Sequence, residues 1–269
     1  MVTTEQARQK YDQIADRYEE IFFYVADVGR TLVRFAAPPA GARVLDIGAG
    51  RGAVARAALD RGCSVTAIDA SPRMMEKLAT DYPAITALTM DAAHLGFPDH
   101  SFDLVTAGFV VQILDEPAAV LTEARRVLKP GGTVALSLET QAVGRLGWLQ
   151  ELSVEFFSAI PAGEAPVPAE DQPAPPGPMN REHLDTLLSE AGFVSPVTES
   201  VEMPLPVAGP EALWDWLVPR GLTEAVQLLP ADRAEEFHQR FLAGAGRMHD
   251  DGGIVLDFAA TLHRGKSPA

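Results

Sequence analysis

Cysteine occurs once in the chain, at Cys63, so no intrachain disulfide can form and the fold must hold without covalent staples. Long apolar runs are missing as well. No stretch approaches the ~18 consecutive apolar residues of a membrane span, and the polar N-terminal residues carry no signal-peptide core. A reducing cytoplasm is the expected setting. Basic residues are scarce: 22 Lys and Arg face 37 Asp and Glu, for a formal charge of −15, with no Lys/Arg cluster. Phosphate would be repelled, which argues against nucleic acid or an anionic membrane as partner. No paired-acid metal site is identified in the sequence, so no metal is expected. What the chain does contain is an ordinary globular composition, 47% hydrophobic over 269 residues, enough for a substantial core.

The hydrophobic pattern reads as alternating strands and helices. Residues 4–36 place Ala7, Tyr11, Ile14, Tyr18, Ile21, Val25, Val28, Leu32 and Phe35 on one helical stripe, best divided into two helices and ended by Pro38-Pro39. Strands are expected at 43–47, 64–68, 85–90, 103–107 and 133–138. Helices are expected between them, including one after the Ser71-Pro72 cap and one over 117–128 stopped by Lys129-Pro130-Gly131-Gly132. Short apolar strands alternating with helices predict a parallel sheet covered on both faces. Seven prolines between 161 and 178 exclude helix and sheet there and predict a long loop. Asn180 then caps a helix ending at Gly192, a strand follows at 197–201, a helical insert at 211–247, and a last strand at 254–262.

The stretch around which the rest is organised is Val44-Leu45-Asp46-Ile47-Gly48-Ala49-Gly50-Arg51-Gly52: a buried strand, a glycine turn and the start of a helix. A ligand there can lie against bare backbone N–H groups. Gly48-Ala49-Gly50-Arg51-Gly52-Ala53 fits the dinucleotide fingerprint G-x-G-x-x-G/A, and Asp69 follows about 20 residues on, as that fingerprint requires. Asp46 argues the other way. A carboxylate two residues before the first glycine would repel a pyrophosphate but attract a cofactor bearing an ammonium and a sulfonium.

Leu45 to Gly52 resembles motif I of the class I S-adenosylmethionine (SAM)-dependent methyltransferases. Tyr11-Asp12-Gln13-Ile14-Ala15-Asp16-Arg17-Tyr18 is similar to the segment before motif I in their ubiquinone-biosynthesis-like subgroup. Phe97 to Asp103 and Glu123 to Gly132 resemble two scaffold segments of the family. The likeness covers residues 8–140 well and the remainder in outline. It implies a Rossmann-like α/β fold: a seven-stranded, mostly parallel sheet with an antiparallel last strand. One domain over 1–269 would comprise a helical cap (1–37), a cofactor-binding core (41–140), a Pro-rich lid or loop (141–180) and a C-terminal part (181–269) with a helical insert at 208–250.

For the cofactor, the resemblance implies that Gly48, Ala49, Gly50, Gly52 and Gly108 receive the methionine part of SAM and Asp46 orients its ammonium. Asp69 would take the ribose, Asp91 and Ala92 the adenine, with Ser71 and Met74 flanking the base and Ala70 also among the cofactor-binding residues. Tyr11 and Tyr18 would close over the site. Any one of these acids, taken alone, reads as a solvated loop residue. Three acids at the carboxyl ends of three consecutive strands do not. S-adenosylhomocysteine (SAH) is the product expected.

The acceptor is harder to read, because an activated methyl needs alignment and dryness more than it needs catalytic groups. Tyr18, Gln112, Glu139 and His249 are the candidate catalytic residues, and Phe22, Gln112, Trp148 and Trp214 the candidate acceptor contacts. Family members often carry a histidine near position 112, so glutamine there puts a base from that strand in doubt. The aromatic residues suggest an apolar or aromatic small molecule, with oxygen the commonest acceptor atom in the family and carbon or nitrogen after it. The resemblance and the composition together suggest bacterial specialised metabolism, with a monomer or homodimer as the working form. Three other readings share parts of this pattern: a SAM-binding enzyme catalysing a cyclisation, a nicotinamide-dependent oxidoreductase, and a non-enzymatic SAM-binding regulator.

Overall fold

The structure is a computed structural model and describes residues 4–141, 146–158, 179–218 and 222–269. The expected proline-rich loop at 161–178 lies outside the described residues. Three helices open the chain: α1 (Thr4–Ile14), α2 (Tyr18–Ile21) and α3 (Val25–Ala36). The core alternates β1 (Arg43–Ile47), α4 (Ala53–Asp60), β2 (Ser64–Asp69), α5 (Pro72–Asp81), β3 (Thr86–Thr89), β4 (Phe102–Gly108), α6 (Pro117–Val127) and β5 (Leu128–Gln141). Then come α7 (Gly147–Phe157), α8 (Arg181–Glu190), β6 (Val194–Val207), α9 (Pro210–Leu217), α10 (Thr223–Gln227), α11 (Ala231–Asp250) and β7 (Ile254–Lys266).

The seven strands form one sheet in the order β3-β2-β1-β4-β5-β7-β6. Strands β1 to β5 pair parallel, with Leu45 opposite both Thr66 and Val105. Strand β7 runs against β5: Gly131 N–H donates to Ser267 O at 3.0 Å and Ser267 N–H to Gly132 O at 2.9 Å, which places the start of one beside the end of the other. Alternation along the strands divides the core. Val44, Val65 and Leu104 join the apolar layer that includes α3, α4 and α5, whereas Leu45, Ile47 and Val105 join the layer with α6 and α8. No helix among the described residues is long and apolar enough to cross a membrane.

Chain contacts divide the molecule into two compact units. One comprises Met1–Thr140, Pro176–Val201 and Ala260–Ala269, the other Gln141–Pro175 and Glu202–Ala259. The second unit has an aromatic core. Phe237 and Phe241 are fully buried on α11, Trp214 packs its ring 5.0 Å from that of Phe241, and the Trp148 indole N–H donates to Met248 Sδ at 3.0 Å.

Several local expectations differ from what is found. The N-terminal stripe forms three helices rather than two, because turns at residues 15–17 and 22–24 break it. These turns bring Tyr18 and Phe22 within 4.9 Å, ring to ring. The Lys129–Gly132 segment does not end one element before the next begins. It is an irregularity inside β5, with Gly131 at φ +73° and the register shifted between Phe102 and Leu104. Strand β6 outruns the expected 197–201 despite Pro196, Pro204 and Pro206, which its edge position tolerates because one row of N–H groups needs no partner. Helix α7 lies within the stretch 141–180 that sequence reading assigned to the loop.

The caps are as expected. Ser71 Oγ accepts from Met74 N at 3.1 Å with Pro72 in the first turn, and Asn180 Oδ1 accepts from His183 N at 2.8 Å. His263, which reads in the sequence as an ordinary strand residue, is fully buried between Asp185 Oδ1 at 2.8 Å and Thr261 Oγ1 at 2.9 Å, and ties β7 to α8.

Candidate functional site

The site begins where β1 ends. Gly48, Gly50 and Gly52 all have positive φ, at +62°, +52° and +85°. Two of them are also spaces that a side chain would fill. A Cβ on Gly48 would lie 2.4 Å from Val110 Cγ2, and one on Gly52 2.4 Å from Leu78 Cδ1. Gly50 is different: the nearest side chain to its Cβ position is Tyr18, whose ring and hydroxyl oxygen stand 3.8 Å away. The turn therefore offers backbone on one side and a phenol on the other. Gly48→Ala should cost ~2–4 kcal/mol through strain and overlap. Gly41→Ala, at φ +80° with nothing within 4 Å, should cost only ~1 kcal/mol. Urea unfolding of the two variants checks this, and equal losses would show that Val110 moves aside freely.

The carboxylates meet this turn from below and beside. Asp46 is 1% exposed; its Oδ1 accepts from Thr106 Oγ1 at 2.8 Å and its Oδ2 from Ala55 N at 3.0 Å. Burial pushes its pKa up to about 7, and the nearby Asp69 adds to the rise, while the two hydrogen bonds oppose it. Asp69 spans the end of β2: Oδ2 accepts from Gly50 N and Oδ1 from Ser71 N, each at 2.9 Å. Burial raises its pKa too, against the pull of those N–H groups. Each oxygen keeps a lone pair for a further donor. Ala49 is buried, its N–H bound to Ile68 O at 2.9 Å, and Ala70 is half-buried beside Ser71. Ser71 and Met74 are buried, so their side chains serve the cap and core. Asp91 is exposed beside half-buried Ala92. His94 and the Ala93 N–H hold the Asp91 carboxyl below the usual carboxylate range.

The helical cap is tied to this turn by polar contacts. Ser71 Oγ donates to Asp12, and Arg73 and Lys77 pair with Asp16. Arg51, from the glycine turn itself, donates to Ala15 O at 3.0 Å and to Asp81 at 2.5 Å. An aromatic run follows. Ring centroids of Tyr11 and Tyr18 are 6.2 Å apart, Tyr18 and Phe22 4.9 Å, Phe22 and Tyr24 6.4 Å, and Tyr24 and Phe109 6.3 Å.

Phe109 follows Gly108 at the carboxyl end of β4 and is held at φ +58°, a conformation that costs a non-glycine residue ~1 kcal/mol or more. Its N–H is fixed by Ser137 O at 3.2 Å and Ser137 Oγ at 3.1 Å. Gln112 lies in the short 3-10 turn Val111–Ile113, and its Oε1 accepts from Glu139 N at 2.8 Å. Glu139 itself is half-buried near the end of β5.

The first unit thus brings together Tyr11, Tyr18, Phe22, Asp46, the glycines, Asp69, Asp91, Gly108, Gln112 and Glu139. Trp148, Trp214 and His249 belong to the second unit, the two tryptophans within its aromatic core and His249 exposed on the last turn of α11. Sequence reasoning missed four residues. Thr106 is the partner of Asp46, Arg51 anchors the cap, and Tyr24 with Phe109 completes the aromatic run. The sequence pattern places Thr106 only as a strand residue, and Tyr24 falls outside the apolar stripe. No sequence signal marks a phenylalanine with positive φ. Among the described residues, no group of three or more His, Cys, Asp or Glu is placed to hold a metal.

Residues 45–136 match a family model described as Methyltransferase domain. Over 166 residues the chain is 37% identical to the aklanonic acid methyltransferase DauC of Streptomyces sp. (strain C5), covering 58% of this chain and 74% of that one. It is 32% identical over 140 residues to a demethylmenaquinone methyltransferase of Tropheryma whipplei (strain Twist), covering 49% of this chain and 59% of that one. The solved structure of the 4+2 cyclase SpnF matches with a TM-score of 0.60 at 18% identity, covering 99% of this chain and 97% of that one, a likeness of fold alone. The chain belongs to the class I SAM-dependent methyltransferases. Its cofactor is SAM, and its reaction is methylation of a small molecule.

Proposed function

We propose that the acceptor is an apolar, aromatic small molecule, methylated on oxygen in the cytoplasm as part of bacterial specialised metabolism. The observation that carries this reading is the run of rings from Tyr11 to Phe109, which passes Gly50 and ends at the carboxyl end of β4. Ring faces and edges of this kind favour a planar apolar partner. In support, two relatives are named for methylation of aklanonic acid and of demethylmenaquinone.

When bound, SAM supplies a methyl already activated by its sulfonium. The residues of this chain hold and orient. In this reading Gly48, Gly50 and Gly52 present backbone to the amino-acid part, and Asp46 steadies the ammonium from beneath. Asp69 accepts from the ribose hydroxyls and Asp91 from the adenine amine. The Tyr18 ring covers Gly50 and keeps water out. The Glu139 carboxylate would receive the proton that a hydroxyl acceptor gives up on methylation. His249 has no part in this reading.

The test is turnover with SAM labelled with 13C in the methyl group, against a panel of hydroxylated anthraquinones and naphthols. One SAH should form per methylated product, and the carbon shift of the new methyl should be that of a methoxy group. A methyl found on carbon or nitrogen would overturn the oxygen assignment. A rearranged acceptor with SAM unconsumed would favour cyclisation.

A further inference from the structure

The side-chain amide of Gln112 is fixed end for end. The Glu139 backbone N–H donates to it at 2.8 Å, and because that group can only donate, the amide branch facing β5 must be the oxygen. The NH2 is then the other branch. It carries two donor hydrogens, and none of the described residues accepts from it. The backbone beneath it has little freedom. Phe109 is held at φ +58° by two bonds to Ser137, Val110 packs against Gly48, Val111 is buried, and Ile113 N–H closes the turn on Val110 O at 2.9 Å. An oriented pair of donors, unused by the described residues, therefore sits three residues from Phe109 of the aromatic run and two from Val110, which contacts the glycine turn.

We infer that Gln112 is a specificity-determining residue whose amide NH2 donates to a carbonyl oxygen on the planar ring of the acceptor. The inference rests on the reading that the acceptor is planar and aromatic. A neutral amide matches a neutral carbonyl, whereas recognition of a carboxylate would call for the charged fork of an arginine. Selection works through the mismatch. A ring without oxygen at that place would bury the NH2 unpaired, and leaving a donor unsatisfied costs more than a formed bond contributes.

The test uses two inert planar ligands that differ only in a carbonyl, 9-fluorenone and fluorene, by equilibrium dialysis against the full chain saturated with SAH. The wild type should bind fluorenone roughly tenfold more tightly than fluorene. Gln112→Glu keeps an oxygen for Glu139 N–H and has no donor, so it should abolish the preference. Its affinities for fluorene and SAH should stay within about twofold of the wild type. Gln112→Met is the second variant and should behave alike. Equal binding of the two ligands by the wild type, binding of neither, or a preference that survives both substitutions would overturn the inference. So would loss of SAH binding in the variants, since Gln112 would then be supporting the site rather than choosing its ligand. Failure of the proposed oxygen transfer is a separate result: a C- or N-methylated product with the fluorenone preference intact leaves the role of Gln112 standing.

Discussion

Asp69→Ala is expected to weaken binding of both SAM and SAH by ~100-fold or more, because two charge-assisted hydrogen bonds to a ribose are together worth ~3 kcal/mol or more. The geometry makes the effect larger than the loss of a ligand contact. In the free protein Asp69 already accepts from Gly50 N and Ser71 N, so it holds the glycine turn against the end of β2. In the proposed arrangement, removing it takes away the ribose acceptors and also loosens the backbone of the glycine turn. Asp69→Asn separates the two contributions. An amide offers one oxygen, so one of the two N–H groups must face an NH2, and the variant should bind more weakly than wild type but better than alanine. Calorimetric titration measures all three proteins, with urea unfolding alongside. Unchanged SAM affinity in Asp69→Ala would remove Asp69 from the site and reopen the placement of the ribose.

The second large effect is on stability and its pH dependence. Asp46 has a folded-state pKa of about 7, well above the ~3.9 of an unfolded aspartate. Between these values the native chain holds a proton that the unfolded chain has released. The stabilising contribution is therefore fully present below pH ~4 and is lost as pH rises to about 7, above which the buried charge carries its full cost, ~4 kcal/mol in all. Asp46→Asn should remove this part of the decline. Its oxygen can accept from Ala55 N, and its NH2 can donate to Thr106 Oγ1, whose own proton then turns to Leu45 O, already 3.4 Å away. The asparagine variant should equal or exceed wild-type stability at pH 8 and fall behind it toward pH 5. Urea unfolding at one-unit intervals from pH 5 to 8 decides it. Parallel curves for the two proteins would show that Asp46 is already ionised in the free protein. Asp46→Ala should instead lose stability at every pH, since it leaves Ala55 N–H buried without its acceptor.

Much of this was legible beforehand, for reasons that can be named. Strand β1 and the turn after it are readable because burial on both faces demands a continuous apolar run and positive φ demands glycine. Ser71-Pro72 announces the start of α5, since a capping hydroxyl followed by proline suits little else. The edges were not legible. Strand β6 carries three prolines, which local reasoning takes as a stop and which an edge strand tolerates. The helical stripe over residues 4–36 reads as two helices where three form, because the same apolar spacing serves either division. Asp46 was read for its charge. Its buried bonds to Thr106 and Ala55 depend on β4 and α4 lying against β1, a proximity across 60 residues of chain in the case of Thr106.

By itself, the sequence determined the sheet-and-helix alternation, the glycine turn and the three acids at consecutive strand ends. Each follows from local chemistry: alternating burial, backbone freedom and the position of a residue just past a strand. Only the tertiary structure decided how those parts meet. It set the tie from Asp69 to Gly50, the placing of Tyr18 over that glycine, the aromatic run that ends at Phe109, and which end of the Gln112 amide is left to donate. All of these are contacts between segments distant in the chain. Their partners are chosen by packing, and packing has no local signature.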